Sequence, residues 1–418
     1  MTEKQWERLD TKREAWAPDE ALRTIAGRKE RPATREAVRK LIGEAETWLT
    51  APRFHVMNKK HTPPSRDKHD YMSLSVYNWP NPNTPDGLPY VTRDGLVNPE
   101  VEDYDRPSMS RMVSGVETLA LAYAATGDER YAAKGAALLD AWFLDPATRM
   151  NPHMLYAQYI PGNGGFDRPE RYPAVYVPGV DGEGIYVAFG GVIEGCRLVP
   201  LVNVIPLLET SRHWDERRAA GLRDWFRSFL RWLLEHQHGK DEAGCLNNHG
   251  SWYCSQIVTY ALFAGEERIA RTFLERNVPE RIAMQIAPDG SQPEEIYRAI
   301  PFHYTVFGLL SFCNNAVRAA ELGIGLWGYE TADGRGIKRA LDWLVPYVLE
   351  PSTWPYRSVK PIEESLPDAA ALLSMAYRAY GDPVYLRAWS SLPESAYPRD
   401  HRYRLLFPLP LSEEGEEA

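Results

Sequence analysis

Apolar residues recur at helical spacing along much of the chain. Val116, Leu119, Ala120 and Tyr123 fall at i, i+3, i+4 and i+7, one face of an amphipathic helix. Ser114-Gly115-Val116-Glu117 reads as a capping box that opens it. Gly127 ends this helix and Asp128 caps the next, on which Tyr131, Gly135, Leu138 and Trp142 form the buried stripe. The phrase Ala122–Tyr131 returns as Ala376–Tyr385 and, more loosely, as Tyr260–Ile269. Each copy sets a glycine and an acidic residue between two helices. The same period runs through Leu222–Leu233 and Val306–Ala320, and no long alternating strand pattern competes with it. Repeated helical hairpins predict a solenoid or a closed toroid. The copies are irregular and separated by long loops, which favours an all-α, (α/α) toroid: an incomplete barrel of hairpins with loops building a cleft across one end.

Two stretches break the helical pattern. Residues 54–107 are rich in Pro, Asn, Asp and Tyr, and residues 151–190 in Gly, Pro and Tyr. Loops of this length usually carry function or cover a site, so both are expected to form the cleft. The tail 413–418 is acidic and is expected to fray.

A length of 418 residues would ordinarily suggest two or three domains, but a toroid of hairpins accommodates the whole of 1–418 as one catalytic domain. With 44% hydrophobic and 25% charged residues, the chain can bury a core without disulfide or metal staples. Lys and Arg number 48 against 57 Asp and Glu, a net charge of −9, which argues against nucleic acid as a partner. A polyanion remains compatible if positive charge gathers in one cleft. Cys196, Cys245, Cys254 and Cys313 lack zinc or redox spacing and read as buried thiols. No apolar run reads as approaching the length of a membrane span, and the charged start MTEKQWERLDTKREAW lacks the apolar stretch of a signal peptide. The expected partner set therefore excludes membranes. The location is cytoplasmic as written, and periplasmic or secreted if a signal was trimmed.

Two polar segments could carry chemistry. Asn247-Asn248-His249-Gly250-Ser251-Trp252-Tyr253 places two amides and an imidazole at an apparent helix start, where either Asn can cap. A cap followed by a core histidine accounts for it equally. In Tyr297-Arg298-Ala299-Ile300-Pro301-Phe302-His303-Tyr304, Pro301 sets Arg298 before a break and lets Tyr304 open the following helix. A buried tyrosine with a satisfied hydroxyl is the plain alternative.

Together these segments resemble the alginate lyase superfamily of polysaccharide lyases. Asn248-His249, Arg298 and Tyr304 are similar to its Asn-His, Arg and Tyr, with the spacing of polysaccharide lyase family thirty-eight. In the more distant family five the tyrosine would align with Phe302. Lys68–Pro80, with His69-Asp70-Tyr71, Tyr77 and Trp79-Pro80, resembles the H-D-Y-x-S-L-x-x-Y-x-W-P signature. Asn151–Gln158 resembles N-P-x-x-x-Y-A-Q. The likeness covers about residues 54–320 and implies the same toroid of hairpins.

The resemblance also implies β-elimination on a β-1,4-linked polyuronate, either polymannuronate (alginate) or glucuronan. Such a site must neutralise the carboxylate beside C5 before the C5 proton can be removed, a task for Asn248, Arg298 and His249. Tyr304 suits a double role as base and then acid. Alternatively His249 is the base and Tyr304 only the acid, as guluronate geometry would need. Lys59, Lys60, His61, Arg66, Lys68 and His69, just ahead of Tyr71, Tyr77 and Trp79, form a basic island, of which Lys60, Arg66, Lys68 and His69 could pair carboxylates while the aromatics stack sugar rings. Tyr156, Gln158 and His303 complete the expected substrate contacts. No cofactor or metal is expected, because His236 and His238 alternate on a helix and do not face one another. Two rivals stand beside this reading. One is a toroidal glycoside hydrolase, needing two carboxylates such as Glu294, Glu295 or Asp289. The other is a uronan-binding protein without catalysis.

Overall fold

The computed structural model describes residues 32–163 and 173–393. The charged N-terminal start, the acidic tail 413–418 and part of the 151–190 loop lie outside the described residues. In chain order the regular elements begin with α1 (Pro32–Leu49), β1 (Met72–Leu74), β2 (Asn78–Trp79), β3 (Val91–Thr92), α2 (Asp105–Thr126) and α3 (Glu129–Leu139). They continue with β4 (Tyr156–Tyr159), β5 (Ala174–Val177), β6 (Ile185–Ala188), α4 (Leu198–Leu208), α5 (Glu216–Glu235), α6 (Gln237–Gly244) and α7 (Asn248–Phe263). The last are α8 (Glu267–Thr272), α9 (Val278–Gln285), α10 (Pro293–Ile296), α11 (Pro301–Glu321), α12 (Ile337–Leu349), α13 (Ala369–Tyr380) and α14 (Pro383–Ser390).

An inner arc of helices packs in sequence, α2 on α4, α4 on α7, α7 on α11 and α11 on α13. The outer partners α3, α5, α12 and α14 lie against them. This is the expected (α/α) toroid. The division follows from composition: α4 and α7 are apolar or small on nearly every face and are buried almost throughout, whereas α5 buries one stripe, Leu222, Trp225, Phe226, Phe229 and Leu233. One contiguous apolar core runs from Val38 on α1 to Leu392 after α14.

Two of the three repeated hairpin phrases turn as expected. Gly127 and Gly381 end α2 and α13 in the left-handed conformation, and the side chains of Asp128 and Asp382 cap α3 and α14. In the looser copy Gly265 is also left-handed, but Glu266 makes no side-chain cap.

Two expectations are corrected. Ser114-Gly115-Val116-Glu117 does not open a helix, because α2 already starts at Asp105. Gly115 instead lies where a Cβ would come 2.9 Å from the Trp48 ring, so the small residue lets α1 pack. The stretch Gly191–Leu208 is long and apolar enough to cross a membrane by length and composition, contrary to the sequence reading. It is mostly buried in the core, folded as a 3-10 turn followed by α4. The two cleft loops also pair with each other. β1 from the first joins β4, β6 and β5 from the second in a four-stranded sheet of order β1-β4-β6-β5, parallel only between β1 and β4. Strands of two to four residues give no legible alternation. A small second core of Met72, Leu74, Val76, Val101, Tyr104, Tyr156, Val177 and Val187 accompanies this sheet.

Candidate active site

The N-terminal ends of α7 and α11, neighbours in the inner arc, bring the two polar segments together. Asn247 is the cap of α7, its side chain accepting the His249 N–H at 3.2 Å. Asn248 and His249 thereby occupy the first helical turn. Pro301 is the first residue of α11, where its missing N–H costs nothing, and Tyr304 stands one turn in.

Arg298 links these elements to the first cleft loop. Its guanidinium forms a two-pronged pair with Asp94, at 2.7 Å to Oδ1 and 3.1 Å to Oδ2. Asp94 also accepts the Ala299 N–H. The same guanidinium donates to the Tyr304 hydroxyl at 2.8 Å and lies 3.7 Å from the centre of its ring. Tyr304 in turn donates to the Tyr77 hydroxyl at 2.8 Å. Burial pushes the Tyr304 phenol well above its ordinary value, and the charge on Arg298 pulls against that shift.

Two buried carboxyls stand behind the Asn-His pair. Both oxygens of Glu242 lie 3.1–3.2 Å from His249 Nδ1. Burial raises the Glu242 carboxyl, with His249 opposing. A carboxylate on Nδ1 fixes the tautomer and leaves Nε2 as the acceptor. Glu295 accepts the Asn248 backbone N–H at 2.5 Å and Nδ2 at 2.7 Å. Gly190 passes against the Glu242–His249 pair in the left-handed conformation, φ +80°.

The expected substrate contacts divide. Tyr77 belongs to the Arg298–Tyr304 chain. His303 is half-buried, holds Asp368 at 2.9 Å through Nδ1, and meets the Tyr304 ring edge-on. Trp79 donates its indole N–H to Leu96 O and carries the Arg93 guanidinium 5.3 Å from its ring centre. Gln158 has φ +57°, a strained position for a non-glycine residue, at the bulge between β1 and β4.

Tyr71 and Tyr156 are corrections. Tyr71 is fully buried and donates to Glu194 at 2.6 Å, and Tyr156 is buried in the small core beside the sheet. The island residues expected to meet substrate each find a partner within the chain, with Lys60 and Arg66 staying largely exposed. Lys60 pairs with Asp103, Arg66 with Asp181, Lys68 donates to Lys59 O, and His69 meets Arg149 O. Of the carboxylates weighed for a hydrolase, Glu295 is committed to Asn248, and Asp289 is bonded to Ser291. The four cysteines are free, three of them buried and Cys196 partly so.

Glu242, Cys245 and His249 place one ligand atom each within 4.8 Å of one another. Their chemistry suits a His–carboxylate pair better than a cation site. Glu242 already spends both oxygens on His249, the Cys245 thiol is buried and pushed up, and the Arg281 guanidinium binds the adjacent Cys245 carbonyl.

A sequence model of the family described as Alginate lyase matches residues 55–354. The chain belongs to the alginate lyase family. It is a polysaccharide lyase, and solved alginate lyases share its fold. An alginate lyase from Bacteroides ovatus is 32% identical with a TM-score of 0.85, covering 94% of this chain and 98% of that one. Alginate lyase A1-III from Sphingomonas species A1 is 16% identical with a TM-score of 0.53, covering 91% and 100%. A histidine-to-alanine variant of A1-III has been solved in complex with a tetrasaccharide. Among curated protein sequences none matches this chain significantly.

The sequence reading missed Asp94, Glu242 and Gly190. Asp94 lies 204 residues from Arg298, and Gly190 sits in a glycine-rich loop with nothing local to mark it. Glu242 precedes His249 by seven residues, but a helix boundary at Cys245 separates them.

Proposed function

We propose that this lyase depolymerises an anionic, β-1,4-linked polyuronate, polymannuronate or glucuronan, by β-elimination, as a member of polysaccharide lyase family thirty-eight. The observation that carries the reading is the hydroxyl of Tyr304, which receives an N–H from Arg298 and gives its own proton to Tyr77, each at 2.8 Å. A phenol that must lose a proton needs a nearby cation and an exit for that proton, and both are at hand. Ionising an ordinary phenol at pH 7 costs about 4 kcal/mol. Burial adds to this cost, and Arg298 offsets it.

In the reaction, Asn248 and His249, with Arg298, offset the negative charge that grows on the C5 carboxylate. The Tyr304 phenolate takes H5, the C4–O bond breaks as the C4–C5 double bond forms, and Tyr304 returns the proton to the departing oxygen. In mannuronate and glucuronate H5 and the leaving oxygen share a face, so one residue can serve both. The Glu242–His249 pair favours a second reading for guluronate, with His249 Nε2 as base and Tyr304 as acid.

Ultraviolet absorbance on polymannuronate, polyguluronate and glucuronan, each alone, tests the proposal, because elimination leaves a double bond conjugated to the carboxylate. A rising band on polymannuronate or glucuronan is expected, with turnover lowered about 100- to 10,000-fold in Tyr304→Phe. Because the phenolate is the active form, turnover should rise with pH through the alkaline range. Reducing ends without absorbance would instead indicate a hydrolase. Cleavage of polyguluronate that is lost in both His249→Ala and Tyr304→Phe, and that falls through the alkaline range as the phenol acid ionises, would move the base to His249.

A further inference from the structure

Asn248 is placed in a way that does not suit an empty-handed anion receptor. Its Nδ2 is turned to Glu295, while Oδ1 is buried and has no hydrogen-bond partner. The side-chain oxygens of Glu295 are both occupied as acceptors, one by the Asn248 N–H and one by Nδ2. An ionised carboxylate can only accept, so it draws the amide nitrogen to itself and leaves the carbonyl oxygen turned away from it, unpartnered. A carbonyl oxygen is the wrong group to meet a uronate carboxylate.

We propose that Glu295 is a positioning residue that takes up one proton when a uronate carboxylate binds at Asn248. It then donates to Oδ1 and turns the amide so that both Nδ2 hydrogens face the substrate. One Glu295 oxygen still accepts the backbone N–H, so the helix start is undisturbed. The inference rests on the reading that Asn248 meets the substrate carboxylate.

The surroundings of Glu295 suit a group with two accessible states. It is buried, and burial pushes its carboxyl up to about 7 despite the opposing bonds from Asn248. The charged or titratable groups that face it are Arg298, one turn along its own segment, and His249 on α7. Both favour the ionised form in the free enzyme. An arriving substrate carboxylate adds negative charge to the same site and claims part of the influence of Arg298 and His249. That change favours protonation. A neutral Glu295 also removes a repulsion that the substrate would otherwise meet.

The test uses the full chain carrying Tyr304→Phe, which binds without turnover, and a short oligomer of whichever polymer the wild type cleaves. Calorimetry at pH 8 in two buffers of different ionisation enthalpy counts protons. The expected result is uptake approaching one proton per site, with affinity falling up to tenfold per pH unit above about 7. Adding Glu295→Gln supplies a permanent donor to Oδ1 and an acceptor for the Asn248 N–H. Uptake should then vanish and affinity become flat with pH, whereas Glu295→Ala should weaken binding at every pH. Binding without proton uptake in the Tyr304→Phe protein overturns the inference, and so does uptake that persists in Glu295→Gln, which would assign the proton to His249. A wild type that neither binds nor cleaves any of the three polymers sinks the proposed function itself. Cleavage with no linked proton sinks only the role of Glu295.

Discussion

A methyl group on Gly190 would lie 2.6 Å from Glu242 Oε2 and 2.7 Å from His249 Nδ1. Neither atom can retreat easily, since Glu242 is buried and His249 is fixed in the first turn of α7. The residue also has φ +80°, where any Cβ adds strain. Gly190→Ala should therefore separate the pair or move the loop, losing about 1–3 kcal/mol of stability and at least tenfold in turnover. Thermal unfolding and the absorbance assay would read the two effects separately. A variant that keeps its melting temperature and its rate would show that the Glu242–His249 contact is not held from this side. The same residue explains why part of the site escaped sequence reading. Asn248, His249, Arg298 and Tyr304 are chemically conspicuous types in short motifs, whereas a glycine reveals its purpose only once the chain has folded around it.

The hairpins are local objects, and for that reason they were largely legible. Gly127 and Asp128 are adjacent in sequence, and they carry out adjacent tasks, the left-handed end of α2 and the cap of α3. A Cβ on Gly127 would meet nothing within 4 Å, so its role is conformational alone. Gly127→Ala should cost about 1 kcal/mol by urea titration and leave the lyase rate untouched, because the turn lies away from α7 and α11. A loss much larger than this would indicate packing that the turn does not show. The capping-box pattern at Ser114 misled for a complementary reason. Four residues satisfy a motif by chance in the middle of a helix when the true start, Asp105, is set by the preceding loop and by its buried carboxylate. The sheet was illegible because its strands are shorter than the period needed to recognise them, and because β1 finds its partner β4 some eighty residues away.

Across the whole molecule, the first cleft loop is moored to the toroid by a charge pair removed from solvent. Lys59 Nζ lies 2.9 Å from Asp105 Oδ2, both side chains at 0% exposure. The ammonium also donates to the carbonyls of Val56 and Lys68, and Asp105 accepts the Met72 N–H that begins β1. Thus the most buried member of the basic island holds the loop carrying Tyr77 and Trp79 against the start of α2. Removing one partner strands the other charge in the interior. Lys59→Met should cost about 3–5 kcal/mol, and because the same loop carries Tyr77, which accepts from Tyr304, turnover should fall with it. Lys59→Met combined with Asp105→Asn removes both charges while keeping an acceptor for the Met72 N–H, and should recover a large part of the lost stability. Urea titrations of the two single variants and the double variant close the cycle. If the double variant is as unstable as the sum of the singles, the pair is not coupled, and the loop is held by the apolar contacts of Val56 and Tyr71 with the core instead.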